Sequence, residues 1–321
     1  MEQPCTLMEA VRFFSDADRT LATMVSLRWP EGVHCPTCGR TDVRFIATRR
    51  LWECKEKHPR KQFSAKVGTI FEDSPLSLDK WFIAIWSVAN CKNGISSYEL
   101  GRAIGVTQKS AWFMLHRIRL AMQTGSFIKM TGTTEGDESF FGGALKNMHE
   151  PKRKAVKAST GPYGSGKAIV MGLLERTSDR RASRVRALMV KDTTKRNLQK
   201  FIRETVEPGS EIMTDSWRSY QGLERDYLHA KVNHRVQEYV RGNVHTNGIE
   251  NFWSLLKRTV RGTYVSVEPF HLQRYVEEQV FRFNERKDDD GGRFRKVLGS
   301  VAGKRITYKA LIGHAINEAA A

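Results

Sequence analysis

Three acids occupy contexts that could do chemistry. Asp137 lies in Glu135-Gly-Asp137-Glu138-Ser-Phe-Phe-Gly142-Gly143, and Asp215 closes Ile212-Met-Thr-Asp215-Ser-Trp. Glu250 sits in His245-Thr-Asn247-Gly-Ile-Glu250-Asn-Phe-Trp-Ser-Leu-Leu-Lys257. Carboxylates gathered at one place repel unless a cation intervenes, and oxygen-only donors suit hard Mg²⁺ or Mn²⁺. Two such ions about 3.5–4 Å apart can activate an attacking oxygen and stabilise a leaving one in phosphodiester chemistry. Glu250 and Lys257 are two helical turns apart and so share a face. That places an acid for metal and a lysine for phosphate on one side of a helix, with Trp253 packing between them or against DNA. Taken singly, each acid reads as a solvated surface group, so the expectation rests on the joint pattern.

A second set of donors is softer. Cys35-Pro-Thr-Cys38 presents two thiols across a tight turn closed by Gly39, and Cys54 with His58 follows after 15 intervening residues. Four such ligands in two turns suit tetrahedral Zn²⁺, which would supply folding free energy to a segment too small for its own core. Lys57 stands where a Cys-x-x-Cys pair would end, so His58 serves one position later. His34 is left out of the set, because its side chain would point away from the turn.

These donors need elements to hold them. Residues 1–30 read as a helical lead-in ended by Trp29-Pro30-Glu31-Gly32, and 31–72 as the zinc ribbon. From Leu78 to Met122 the apolar spacing gives three helices punctuated by Gly94 and Gly105, and the helix-turn-helix is set at 75–124. Ser96 with Glu99 makes a capping box, and Thr107 caps the next helix. The second helix of such a unit enters the major groove. Gln108, Lys109 and Ser110 are then expected at base edges, while Trp112, Phe113, Arg117 and Arg119 suit backbone contact or core packing. Strand-type runs follow at Gly132 to Phe141, Ala168 to Glu175, Arg184 to Val190 and Glu211 to Asp215. Helical stretches occur near Thr194 to Val206, Thr246 to Val260 and Pro269 to Arg286. Strands first and helices after indicate an α/β domain with a mixed sheet over 130–287. Residues 288–321 read as a solvated linker and a basic tail.

Gly161-Pro-Tyr-Gly-Ser-Gly166-Lys167 has phosphate-loop spacing but not its context. A Lys-rich stretch with Lys152 and Lys157 precedes it, and Ala168 stands where Ser or Thr would hold Mg²⁺. No nucleotide cofactor is expected; the segment reads as a mobile basic loop along nucleic acid.

With 53 Lys plus Arg against 35 Asp plus Glu, the 321-residue chain carries a formal charge of +18. Its composition excludes collagen, mucin and wholly disordered classes. The longest apolar stretch, Trp81 to Cys91, is about half of what a membrane span needs. No membrane association is expected, and the N-terminal residues lack signal-peptide order, so the expected location is cytoplasmic. Excess positive charge points to a polyanionic partner.

At these residues the sequence resembles bacterial insertion-sequence transposases of the ISXO-like type. The carriers are Cys-Pro-Thr-Cys, Gln62-Phe-Ser with Val67-Gly-Thr-Ile-Phe71, Gly94-Ile-Ser-Ser, Asp137-Glu-Ser-Phe-Phe-Gly-Gly, Thr214-Asp215, and the His245 to Lys257 segment. The resemblance implies a multidomain fold: an N-terminal zinc ribbon, an all-α helix-turn-helix, then an α/β ribonuclease-H-like mixed-sheet catalytic domain. It implies Asp137 and Asp215 as catalytic aspartates, with Glu250 first and Asn247 second for the third place. It further implies two Mg²⁺ or Mn²⁺ ions at Asp137, Asp215 and Glu250, structural Zn²⁺, and strand cleavage and transfer on double-stranded DNA. Terminal inverted repeats would be bound by the ribbon and helices, by a homodimer or higher assembly. The alternatives are a domesticated, non-catalytic DNA-binding regulator and a ribonuclease-H-like nuclease without strand transfer.

Overall fold

Two strong helix starts open the chain. Thr6 and Glu9 form a reciprocal capping box ahead of α1 (Leu7–Phe14), and Asp16 accepts from the N–H groups of Asp18 and Arg19 at the head of α2 (Ala17–Arg28). The computed structural model describes residues 4–123, 128–143, 149–151, 153–154, 166–178, 181–232 and 242–313. It divides into one unit of Met1–Thr124 with Asp288–Ala321 and a second of Gly125–Lys287.

In the first unit, β1 (Val43–Ile46), β2 (Leu51–Cys54) and β3 (Gln62–Phe63) form an antiparallel sheet in that order, with Val43 opposite Cys54 and Trp52 opposite Phe63. So small a sheet has little to bury. Its apolar content is a ring cluster, with Trp52 centred 6.1 Å from Phe63 and 5.7 Å from Trp29. α3 (Leu78–Asn90) buries Trp81, Phe82, Ile85 and Trp86. α4 (Ser97–Ile104) begins at the Ser96/Glu99 capping box and ends at Gly105, whose φ of 63° is the left-handed conformation a helix stop needs. Thr107 then caps α5 (Gln108–Met122) by accepting from the Ser110 N–H.

One expectation narrows in this unit and another changes. Arg117, a candidate for DNA backbone contact or core packing, is 4% exposed; its guanidinium donates to the carbonyls of Ile70, Glu72 and Ile306 at 2.9, 2.8 and 3.3 Å. Five fixed donors on one planar group make arginine able to hold three carbonyls from two distant backbone segments, which is its role here. The segment from Asp288, read as a linker and tail, contains α9 (Asp290–Gly299) of the same unit. Asp289 caps it through the Gly292 N–H, and Phe294 packs on Phe14, Phe82 and Trp86 with ring centres 5.3, 5.8 and 5.4 Å away. The Asp and Gly run that resembles a linker is a helix start.

The second unit is built on a five-stranded mixed sheet, with β4 (Thr134–Phe141), β5 (Ala168–Glu175), β6 (Arg184–Val190), β7 (Glu211–Asp215) and β8 (Leu228–Val232) in the order β6-β5-β4-β7-β8. The β4–β5 and β5–β6 pairs are antiparallel, and β4–β7 and β7–β8 are parallel. Alternating residues of β5 face opposite sides. Val170 and Leu174 join Ile249, Phe252, Leu256 and Val276 of α7 (Asn247–Arg258) and α8 (Pro269–Asn284). Met171 and Leu173 join Leu198 and Ile202 of α6 (Lys195–Thr205). Helices on both faces explain why β5 reads as an unbroken apolar run. No described helix is long and apolar enough to cross a membrane. The phosphate-loop-like segment, with Lys152 and Lys157, lies almost wholly outside the described residues.

Candidate active site and metal centre

β4 and β7 run parallel with Thr134 opposite Ile212 and Glu135 opposite Met213. Continuing that register sets Asp137 level with Asp215, and strand alternation sends both to the face covered by α7. α7 supplies the third acid. Trp253 Nε1–H donates to Asp137 Oδ2 at 2.9 Å, so one turn of α7 is fixed against the middle of β4, and Glu250 lies three residues before it.

The electrostatics place the acids as neighbours. Burial pushes the Asp137 carboxyl up to about 6; the N–H groups of Glu138 and Trp253 oppose that rise, and the charges of Asp215 and Glu250 add to it. Glu138 is pushed up to about 7 by burial, against the bond from the Tyr220 hydroxyl and with the charges of Asp137 and Asp215. Such a site favours a cation, the chemical test a Mg²⁺ or Mn²⁺ centre must meet. Meanwhile protein donors hold the carboxylates: Asp215 Oδ1 accepts from the Trp217 N–H at 3.0 Å and Glu250 Oε1 from the Thr246 hydroxyl at 2.8 Å. Asn247 opens α7 and is exposed, like Glu250. Trp253 is 3% exposed, so it packs within the domain. Lys257, on the far turns of α7, lines a cavity at the end of β4.

Sequence reasoning missed what anchors α7. Glu135 Oε2 accepts from the Ile249 N–H at 2.9 Å, and its Oε1 pairs with Arg176 Nε at 2.7 Å. Arg176 also donates to the carbonyls of Asn243 and His245. This fork ties β4 to the strand-to-helix turn and sets the start of the helix that carries Glu250. The available signal was Glu135 itself, an acid two residues before Asp137 on the same strand face.

Two glycines permit the approach. A Cβ on Gly248 would lie 2.9 Å from Glu135 Oε2, and one on Gly172 would lie 2.6 Å from two ring atoms of Trp253. Gly172→Ala is therefore expected to displace the indole and break its bond to Asp137. Overpacking should lower stability by about 1–3 kcal/mol. Urea unfolding and Trp fluorescence check this; an unchanged midpoint and spectrum would contradict the packing described.

The soft donors do converge. Cys35 Sγ is 3.4 Å from His58 Nε2, Cys38 Sγ is 3.6 Å from Cys54 Sγ, and all four ligand atoms lie within 4.8 Å of one another. A tetrahedron with about 2.3 Å Zn–S and 2.0 Å Zn–N bonds has edges of about 3.5–3.8 Å, so the set fits Zn²⁺. His58 Nδ1 faces the Pro59 carbonyl at 2.7 Å, leaving Nε2 for the metal. Burial raises the Cys35 thiol, but the N–H groups of Cys38 and Thr37 together with the Cys38 and Cys54 side chains bring it down to about 7, as a thiolate ligand requires. His34 lies beside Trp29 with ring centres 5.9 Å apart and outside the set. Among the described residues this is the one group of three or more such donors whose ligand atoms are already gathered; Asp137, Asp215 and Glu250 share a face of the sheet without their carboxylate oxygens closing to that degree.

At the start of α5, Gln108 donates to the Ser97 hydroxyl at 2.9 Å, Ser110 pairs with Thr107 at 2.9 Å, and Lys109 Nζ sits 4.8 Å over the Tyr308 ring. Lys109 is exposed, and Gln108 and Ser110 are half-buried.

Comparison with known proteins adds the family. Residues 129–284 match the ISXO2-like transposase domain, and residues 15–58 match the transposase zinc-ribbon domain. An uncharacterized protein in transposable element ISH50 of Halobacterium salinarum is 26% identical over 260 residues, covering 78% of this chain and 85% of the relative. An uncharacterized transposase-like protein of Haemophilus influenzae is 31% identical over 102 residues, covering 32% of this chain and 81% of the relative. No solved structure matches the chain.

Proposed function

The chain belongs to the ISXO2-like transposases, and from that premise we propose that it cuts DNA at the ends of its insertion sequence and joins them to a target. The observation that carries this reading is the meeting of Asp137, Asp215 and the Glu250-bearing helix on one face of the mixed sheet. The sheet order and the placement of these acids support a ribonuclease-H-like catalytic domain. Asp137, Asp215 and Glu250 are the oxygen donors for Mg²⁺ or Mn²⁺, and Asn247 is the second choice for the third place. Bound there, the divalent ions would supply Lewis acidity to an attacking oxygen and a leaving one. The protein's own share is positional: Trp253 holds Asp137, Thr246 holds Glu250, and the Glu135–Arg176 fork sets the start of α7.

Zinc ribbon and α4–α5 would recognise the terminal inverted repeats, with Gln108, Lys109 and Ser110 presented at the start of α5. Lysines and arginines would carry phosphate contacts, giving a steep salt dependence. Lys257 would contact a phosphate of the DNA on the catalytic side. Two ends held together call for a homodimer or larger assembly during reaction.

The test is a strand-transfer assay with purified protein, Mg²⁺, a labelled duplex of the element end and a plasmid target. Joined product is the expected outcome. Hydrolysis without joining would support a nuclease, and binding without either would support a non-catalytic regulator.

A further inference from the structure

The segment after α9 runs along one face of α5, from the end of that helix back to its start. Lys304 Nζ donates to the carbonyls of Ala121 and Gln123 at 3.3 and 2.9 Å, and the Ile306 carbonyl accepts from Arg117 Nε at 3.3 Å. Tyr308 opens a short helix, α10 (Tyr308–Leu311), and its ring meets that of Phe113 edge to face with centres 5.8 Å apart. The same ring carries Lys109 Nζ 4.8 Å from its centre. Lys109, Phe113 and Arg117 are spaced four apart, so they line one face of α5 and the segment lies along it. Tyr308 is itself held in place. Thr307 Oγ1 accepts from the Ala310 N–H at 3.2 Å, and Leu311 is fully buried.

The contact falls where base edges would be read, since the first residues of the second helix in such a unit enter the major groove. Of the three candidates there, Gln108 is bonded to Ser97 and Ser110 to Thr107, and both are half-buried. Lys109 is the exposed one. A freely moving lysine loses much rotamer freedom when it is fixed on a partner. An ammonium already seated on an aromatic face has lost part of that freedom beforehand, and its outward N–H donors stay available. In the major groove such donors match O6 and N7 of guanine, the acceptors that arginine and lysine most often take.

We propose that Tyr308 is a positioning residue for sequence recognition: its ring presents Lys109 to a guanine edge in the terminal inverted repeat. The C-terminal segment then belongs to the DNA-binding surface. This rests on the reading of α4–α5 as the recognition helices.

The experiment measures, on the full chain at one fixed salt concentration, the affinity for a duplex of the element end and for the same duplex with its sequence scrambled. The ratio of the two is the readout. Wild type should prefer the element end by at least about a hundredfold. Lys109→Ala should lower that preference about tenfold and Tyr308→Ala about fivefold. Tyr308→Phe keeps the ring and should stay within about twofold of wild type. In the Lys109→Ala background, Tyr308→Ala should bring no further loss, because the two act as one unit; damage to folding would add to the loss. Replacing the element end's guanines by 7-deazaguanine, which lacks N7, should weaken wild type more than Lys109→Ala. An unchanged preference in Tyr308→Ala, an additive loss in the double variant, or equal weakening by 7-deazaguanine would overturn the proposal. So would a raised preference in Tyr308→Ala, which would make the ring a mask over Lys109. Failure of the recognition reading looks different: wild type would bind both duplexes equally, and the proposal would fall with it.

Discussion

Asp137→Asn and Asp215→Asn are each expected to lose at least about 10³-fold in divalent-dependent cleavage of an element-end duplex, while DNA affinity stays within about twofold. A bound metal is worth several kcal/mol of transition-state charge stabilisation, and each 1.36 kcal/mol is tenfold in rate. The folded state should respond in the opposite direction. Burial and the charges of Asp215 and Glu250 hold the Asp137 carboxyl above its ordinary range, to about 6, so at neutral pH its ionised form opposes folding. The asparagine oxygen can still accept from Trp253 Nε1–H, so Asp137→Asn should melt at or above the wild-type temperature without added metal. Gel shift, cleavage rate and thermal melting on one preparation check this. A variant that cleaves like wild type would remove Asp137 from the site, and one that unfolds would make its role structural.

Zinc is the second large effect. With four ligand atoms inside 4.8 Å and only a three-stranded sheet around them, bound metal would stand in for a core the ribbon lacks. Structural zinc in small fingers contributes on the order of 10–16 kcal/mol of apparent binding free energy. Cys54→Ser should therefore lose stoichiometric zinc by elemental analysis and weaken binding of the terminal repeat by at least about tenfold. His58→Cys should keep zinc, because it restores a fourth soft ligand. Full zinc content in Cys54→Ser would contradict the assignment.

Much of this was legible in residue patterns. The run Ala168–Glu175, the caps at Ser96 and Thr107, and the donor spacing from Cys35 to His58 are local signals, and the structure carries each of them into an element or a cluster. What stayed hidden was set by distant partners. Arg117 suits DNA backbone contact and core packing equally until the carbonyls of Ile70 and Ile306, far along the chain, meet it. β8 is an edge strand whose first residue, Leu228, is 69% exposed, so Leu-His-Ala-Lys-Val lacks the apolar density of a central strand. The Asp288 to Gly292 run looks solvated because its reason for being helical, Phe294 against Phe14 and Trp86, comes from the other end of the sequence. At the candidate site the acids could be chosen from context. The Glu135–Arg176 fork that orients α7 needs a contact 41 residues away.

The central claim is that Asp137, Asp215 and Glu250 together hold divalent metal. Its most direct measurement is Mn²⁺ binding to the DNA-bound protein by electron paramagnetic resonance, which needs no turnover. Wild type should take up Mn²⁺ saturably, Asp215→Asn and Glu250→Gln should each lose that uptake, and Asn247→Ala should retain it. Undiminished Mn²⁺ binding by Asp215→Asn and Glu250→Gln would contradict the claim.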